Sequence, residues 1–272
     1  MLPSLPSELL DLIVDHSYEK RATLKACCLV SRSWVPRTQR HLFAHVEFDS
    51  DEPSRRTVES WMEAFPDPSK SPAHHTRSLA ISGLTAVTSA TTHGHAWVRS
   101  FHSIIKLMVD THWWDDVDLS LVQLHGLSPI LKSLHLDRSS LPLSEAFNLT
   151  CSFPLLEDLS LRSFSSQTRG IKKPTDPPST SPKLTGSLLL DVKALPIIRR
   201  LLALPGGLHF AKITITCSNP SLELVVTLVS SCSDTLESLC VDYIGDSRST
   251  YILDQCLTAS RFPRLTYNVA SV

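Results

Sequence analysis

One short pattern returns along most of this chain and restricts what it can fold into. The motif apolar-x-x-Leu/Ile-x-apolar occurs at Ile104/Leu107/Val109, Leu131/Leu134/Leu136, Leu156/Leu159/Leu161, Phe210/Ile213/Ile215 and Leu236/Leu239/Val241. A degenerate copy stands at Thr76/Leu79/Ile81, a run of ambiguous register at Leu188-Leu189-Leu190, and a weak last copy at Leu265/Asn268/Ala270. The middle positions 79, 107, 134, 159, 188, 213, 239 and 268 lie 25 to 29 residues apart. A fixed period of that size marks stacked repeats, because one unit cannot bury its apolar face alone. Alternation puts two side chains of each short strand on one face, where stacking buries them in continuous columns. The residues left over in each period are too many for a hairpin, so parallel strands with outer return segments are expected. An antiparallel sandwich built from the same strands is the competing arrangement. Helical returns are expected at Ala96–Ile105, Ser144–Thr150, Ala194–Leu204 (starting near Pro196) and Ser221–Ser231.

Ahead of the repeats, three short helical patterns follow one another. Ser7 is placed to cap the first, with Glu8 in its opening turn and Leu9, Leu10, Ile13 and Val14 at helical spacing. Thr23 is placed to cap the second, which carries Leu24, Cys27, Cys28 and Val30. The third runs from Trp34 to Leu42 and Phe43, with Pro36 tolerable only in its first turn. About 45 residues cannot enclose a core unaided, so this unit should rest on the chain behind it and leave apolar surface for a partner. Between the two parts, Val58, Trp61, Met62 and Phe65 define one amphipathic helix, closed off by Pro66 and Pro68. Its expected role is to pack between the opening helices and the repeats.

The residues Leu5-Pro6-x-Glu8-Leu9-Leu10, Ile13, Leu24, Leu29-Val30-x-Arg32-x-Trp34 and Leu42-Phe43 resemble an F-box. This is the motif by which substrate receptors dock onto the Skp linker subunit of a Skp–cullin–F-box ubiquitin ligase. Its wording is closest to the F-box proteins abundant in mushroom-forming fungi. Ser31 stands where many F-boxes have Cys, and Phe43 where Trp is frequent. The later part resembles the irregular leucine-rich repeats of the same proteins. It departs from the plain repeat in having Ser139, Phe164, Ser218 and Ile244 where an Asn or Cys usually follows each strand, which favours an uneven or flattened solenoid.

The resemblance implies an α/β fold class: a short all-α F-box at 1–48, a linker with one amphipathic helix at 49–75, and an irregular leucine-rich-repeat-like α/β solenoid with a parallel sheet at 76–272. It implies a substrate-receptor (adaptor) subunit rather than an enzyme, bound to a Skp-type subunit and through it to a cullin, with the repeats holding a target protein. Leu5, Pro6, Leu9, Ile13, Leu29, Val30 and Trp34 are the implied Skp-binding residues. The sequence leaves open which of them serve the module's own core. Leu5-Pro6 and the Leu29–Trp34 segment are the foremost contacts by resemblance. The alternative is a repeat-based protein-binding module with a degenerate F-box, acting outside ubiquitin transfer.

Other readings find little support. The net charge of −1 and the absence of a clustered basic stretch argue against nucleic acid. No run of about 18 uncharged apolar residues suggests a membrane span, and Glu8, Asp11 and Asp15 interrupt any signal peptide. Seven cysteines without a regular framework read as reduced thiols, hence a cytoplasmic or nuclear protein. No G-x-S-x-G, H-E-x-x-H, phosphate loop or dinucleotide fingerprint is present. No catalytic residue, cofactor or metal is therefore expected, and His74-His75 and His93-x-His95 read as turn histidines. His112, Trp113, Trp114 and Asp115 form the richest polar-aromatic cluster and are the candidate target contacts. Residues 163–182, rich in Ser, Thr and Pro, read as a surface loop. Tyr267–Val272 reads as a final strand without a cap.

Overall fold

The computed structural model describes residues 6–49, 57–82, 96–110, 124, 127–137, 143–163, 182–218, 222–243 and 266–271. The chain opens with helices α1 (Ser7–His16), α2 (Arg21–Val30) and α3 (Val35–Leu42). Pro6 holds the capping position of α1 and Lys20 that of α2, neither with a side-chain cap. Ser7 and Thr23 thus lie inside their helices rather than at the caps expected for them. Ser31 turns the chain to extended backbone, and its Oγ accepts from the Ser33 N–H at 3.3 Å to start the 3-10 turn Arg32–Trp34. Pro36 sits in the first turn of α3, where its missing N–H is no loss.

Among the described residues, nine parallel strands follow, stacked in strict chain order. They are β1 (His45–Asp49), β2 (Ser78–Ser82), β3 (Lys106–Asp110), β4 (Ser133–Asp137), β5 (Asp158–Leu161), β6 (Ser187–Leu190), β7 (Lys212–Cys217), β8 (Ser238–Tyr243) and β9 (Thr266–Ser271). All eight pairings between successive strands are parallel, which excludes the antiparallel sandwich. Val46, Leu79, Leu107, Leu134, Leu159, Leu188, Ile213, Leu239 and Tyr267 stand opposite one another across the sheet. So do Phe48, Ile81, Val109, Leu136, Leu161, Leu190, Ile215, Val241 and Val269. From Val46 to Leu239 and from Phe48 to Val241, both columns are buried. Each such side chain contributes roughly 1.5–3 kcal/mol by leaving water.

Two strands differ from expectation. In β9 the aligned residues are Tyr267 and Val269, one position before Asn268 and Ala270. A slip of one residue would exchange the two faces of a strand, and the observed register aligns the apolar positions. β1 was not anticipated at all; it occupies the end of the span assigned to the opening helices.

Successive strands also start alike. The carbonyl of Ala44 accepts from Arg77 N–H at 2.9 Å and Ser78 N–H at 3.0 Å. The carbonyls of Arg77, Ile105, Lys132, Gly186 and Ala211 each accept two N–H groups of the next coil in the same way. The return segments carry α4 (Val58–Ala64), α5 (Ala96–Ser100), α6 (Leu143–Cys151), α7 (Ile198–Leu202) and α8 (Leu222–Ser231). Phe101, Phe153 and Phe210, each just before a strand, are fully buried beneath these returns.

Six aromatic rings join the opening helices to the stack. Phe43 at the end of α3 meets Trp61 at 5.8 Å and Phe65 at 6.3 Å, mostly edge to face. Trp61 in turn meets Phe48 of β1 and Phe101, and Phe48 meets Trp97 and Phe101. The amphipathic helix α4 therefore packs between the two parts, as its spacing predicted, with Thr57 and Ser60 forming a reciprocal capping box.

Candidate docking surface

The geometry of α1 follows from its charges. Asp11 and Asp15 are one turn apart on α1, as are Arg37 and His41 on α3, so the two pairs meet face to face. Arg37 Nε donates to Asp15 Oδ1 at 2.8 Å and Nη1 to Asp11 Oδ2 at 3.2 Å, while Nη2 donates to Asp15 Oδ2. His41 Nε2 lies 2.7 Å from Asp15 Oδ1. The hydrogen bonds from Arg37, then from His41, hold the Asp15 carboxyl well below the usual carboxylate range.

With Asp11 and Asp15 turned to α3, Val14 buried and Leu10 half-buried, three apolar residues of α1 are left facing water. Leu9 is 47%, Leu12 52% and Ile13 47% exposed. On α2, Leu24 and Cys27 are buried, whereas Leu29 is 89% and Val30 68% exposed at the helix end. Six of the nine exposed large apolar residues among those described lie between Leu9 and Val30. Single exposed leucines are ordinary; such a concentration makes this face the candidate docking surface.

Of the residues expected to meet a partner, Leu9, Ile13, Leu29 and Val30 stand in water, Pro6 is exposed, and Trp34 is partly buried. Trp34 also supplies its carbonyl to the buried Thr38 hydroxyl at 2.6 Å. Leu5 lies outside the described residues, as do His112, Trp113, Trp114 and Asp115. Leu12 was missed, although it completes the i, i+3, i+4 set with Leu9 and Ile13. The Asp–Arg/His lattice was missed as well, although matching i, i+4 spacing on two helices is legible in the sequence.

No protein-family model and no curated protein matches the chain.

A second surface lies on the open face of the sheet. Glu47, Ala80, Met108, His135, Ser160, Leu189 and Thr214 form its central row, in register between the buried columns. These residues line a shallow depression of about 370 Å³. His135 and Ser133 Oγ share a hydrogen bond at 2.9 Å, and burial, then Lys106, lowers the proton affinity of the imidazole. Six free cysteines are described, and burial pushes the Cys151 thiol up to about 12 and Cys217 to about 11, far from thiolate reactivity. Among the described residues no three His, Cys, Asp or Glu side chains converge on a metal position, and no helix is long and apolar enough to cross a membrane.

Proposed function

We propose that this protein is the substrate receptor of a Skp–cullin–F-box ubiquitin ligase, an F-box followed by an irregular leucine-rich-repeat solenoid. In this reading α1, α2 and the Arg32–Trp34 turn dock on a Skp-type subunit, and the open sheet face holds the target protein. Ubiquitin transfer is then a matter of proximity, with the chemistry supplied by other subunits. The reading places the protein in the cytoplasm or nucleus.

The observation that carries it is the exposure of Leu29 and Val30 on a helix whose neighbouring turn, Leu24 and Cys27, is buried. Leaving two large apolar side chains in water forgoes roughly 1.5–3 kcal/mol each. A docking partner recovers that energy, and both residues belong to the Leu29–Trp34 segment, one of the two that the F-box resemblance puts foremost.

Co-expression with a Skp-type subunit tests the proposal. The wild-type chain is expected to co-purify with it, and Leu29→Asp with Val30→Asp to lose binding by about 30-fold or more, the scale of interface hot spots. Both side chains are exposed in the free chain, so the double variant should keep its melting temperature. Equal recovery of the variant, or no capture of the wild type, defeats the proposal.

A further inference from the structure

A second cavity, of about 580 Å³, opens between the 3-10 turns Pro68–Lys70 and Pro72–His75 on one side and α5 with its following turn on the other. Its polar lining comes from Ser69, Ser71, His74, Arg99, Ser100 and His102, with no carboxylate among them. Arg99 is exposed and forms no ion pair among the described residues. The nearest acid in sequence, Asp67, is engaged by Ser69 and by Lys70 at 3.1 Å. The His75 ring meets His74 at 3.9 Å, tilted by 50°, and its proton affinity is lowered by burial, then by His74, Arg40 and Arg77. Positive charge is therefore gathered here in a chain whose net charge is −1.

The free donors match a tetrahedral anion. Ser69 and Ser100 hydroxyls are committed, to Asp67 at 2.7 Å and to the Trp97 carbonyl at 2.6 Å. Ser71, only 2% exposed, uses its Oγ as acceptor from Ala73 N–H at 3.3 Å, which leaves its proton free. His74 Nδ1 donates to the Ser71 carbonyl at 2.9 Å, which fixes the ring at the cavity wall with its donor already spent. The His102 turn is pinned by the buried Ser128 hydroxyl donating to the His102 carbonyl at 2.6 Å. A guanidinium fork, the His102 ring and a hydroxyl line the cavity from its two sides. That suits the three acceptor oxygens of a phosphate monoester better than the two coplanar oxygens of a carboxylate.

We propose that this cavity binds a phosphate monoester group, with Arg99 supplying charge, Ser71 a hydroxyl donor and the His74 and His102 rings its walls. The site is separate from the α1–α2 surface and does not depend on what that surface binds.

Titration of the full chain with inorganic phosphate, a phosphoserine peptide and its unphosphorylated twin tests it, read by calorimetry and by the imidazole proton signals of His74 and His102. Saturable shifts of both histidines are expected, with Arg99→Gln weakening binding by about tenfold or more, as for loss of a charge-assisted contact. His102→Gln serves as a second variant with the same direction of effect. Tenfold tighter binding of the phosphopeptide than of inorganic phosphate assigns the site to a modified polypeptide; equal affinity assigns it to a free phosphate. Non-saturable shifts, equal binding of the unphosphorylated twin, or wild-type affinity in Arg99→Gln and His102→Gln overturns the proposal.

Discussion

Trp61→Ala should be the most damaging single substitution at the junction between the opening helices and the sheet. Trp61 is 3% exposed, and its ring meets Phe43 at 5.8 Å, Phe48 at 5.7 Å, Phe65 at 4.8 Å and Phe101 at 5.5 Å. Truncating a buried aromatic to alanine costs about 3–5 kcal/mol through lost transfer energy and the cavity left behind. Ring pairs add about 0.5–1.5 kcal/mol beyond area, so four partners put this site near the upper end, at about 5 kcal/mol. In a chain of this size one kcal/mol moves the melting temperature by roughly 2–4 °C, which gives a drop of roughly 10–20 °C. Trp61→Phe keeps one ring against the same neighbours and should lose less than half as much. Thermal melts followed by far-ultraviolet circular dichroism, with urea titration for the free energy, measure both. A loss below about 1 kcal/mol for Trp61→Ala, or equal losses for the two variants, would refute a shared aromatic core.

Gly186→Ala should destabilise the β5–β6 step by about 1.5–3 kcal/mol. Its new Cβ would lie 2.3 Å from Asp158 Oδ1, the atom that accepts from Ser187 N–H and Oγ at 2.7 Å each. Adding Asp158→Ala removes the obstacle, so the double variant should cost less than the sum of the two; strict additivity in urea titrations would count against the contact. Asp15→Asn should cost about 1 kcal/mol near neutrality, a modest figure because the network is partly exposed. The folded carboxyl titrates below its unfolded value, so its contribution is complete above pH ~4 and fades as pH falls further. Wild type and variant should therefore converge in acid, and a constant gap from pH 7 to pH 2.5 would rule the network out. Removing residues 1–44 spares β1, whereas removing 1–48 bares the edge of β2 and takes Phe48 from the ring cluster. Light scattering should show stronger aggregation of the shorter chain, and identical behaviour would contradict the role given to β1.

The repeat was legible because leucine and isoleucine recur where a strand needs them. Leu79, Leu107, Leu134, Leu159, Ile213 and Leu239 were each aligned from spacing alone, and the structure sets them in one column. Three consecutive leucines at 188–190 satisfy either phase of a two-residue alternation, so only pairing with β5 and β7 decides that Leu188 and Leu190 turn inward. β1 escaped notice because Val46 precedes Leu79 by 33 residues, outside the 25–29 spacing of the other copies, and because it follows a helix directly. On α1, helical periodicity groups Leu9, Leu10, Ile13 and Val14 without saying which side packs. The decision rests with Asp11 and Asp15, which seek Arg37 and His41 twenty-odd residues later, and a stripe count carries no information about that.

The join between the two parts has a consequence for any partner held on both. α3 ends at Leu42 and β1 begins at His45, so two residues connect helix to sheet. Neither is free to swing: Phe43 is set among rings, and the Ala44 carbonyl is bound by two N–H groups of the next coil. The exposed stripe of α1 and α2 is therefore held in a fixed direction relative to the open face of the sheet. A flexible linker would spread a tethered partner over a volume, and its effective concentration would fall with about the −3/2 power of linker length. A stiff junction avoids that dilution but demands that both partners fit one geometry. If the proposed receptor function holds, reach and direction are properties of Phe43, Phe48, Trp61 and Phe101 as much as of the surfaces that bind.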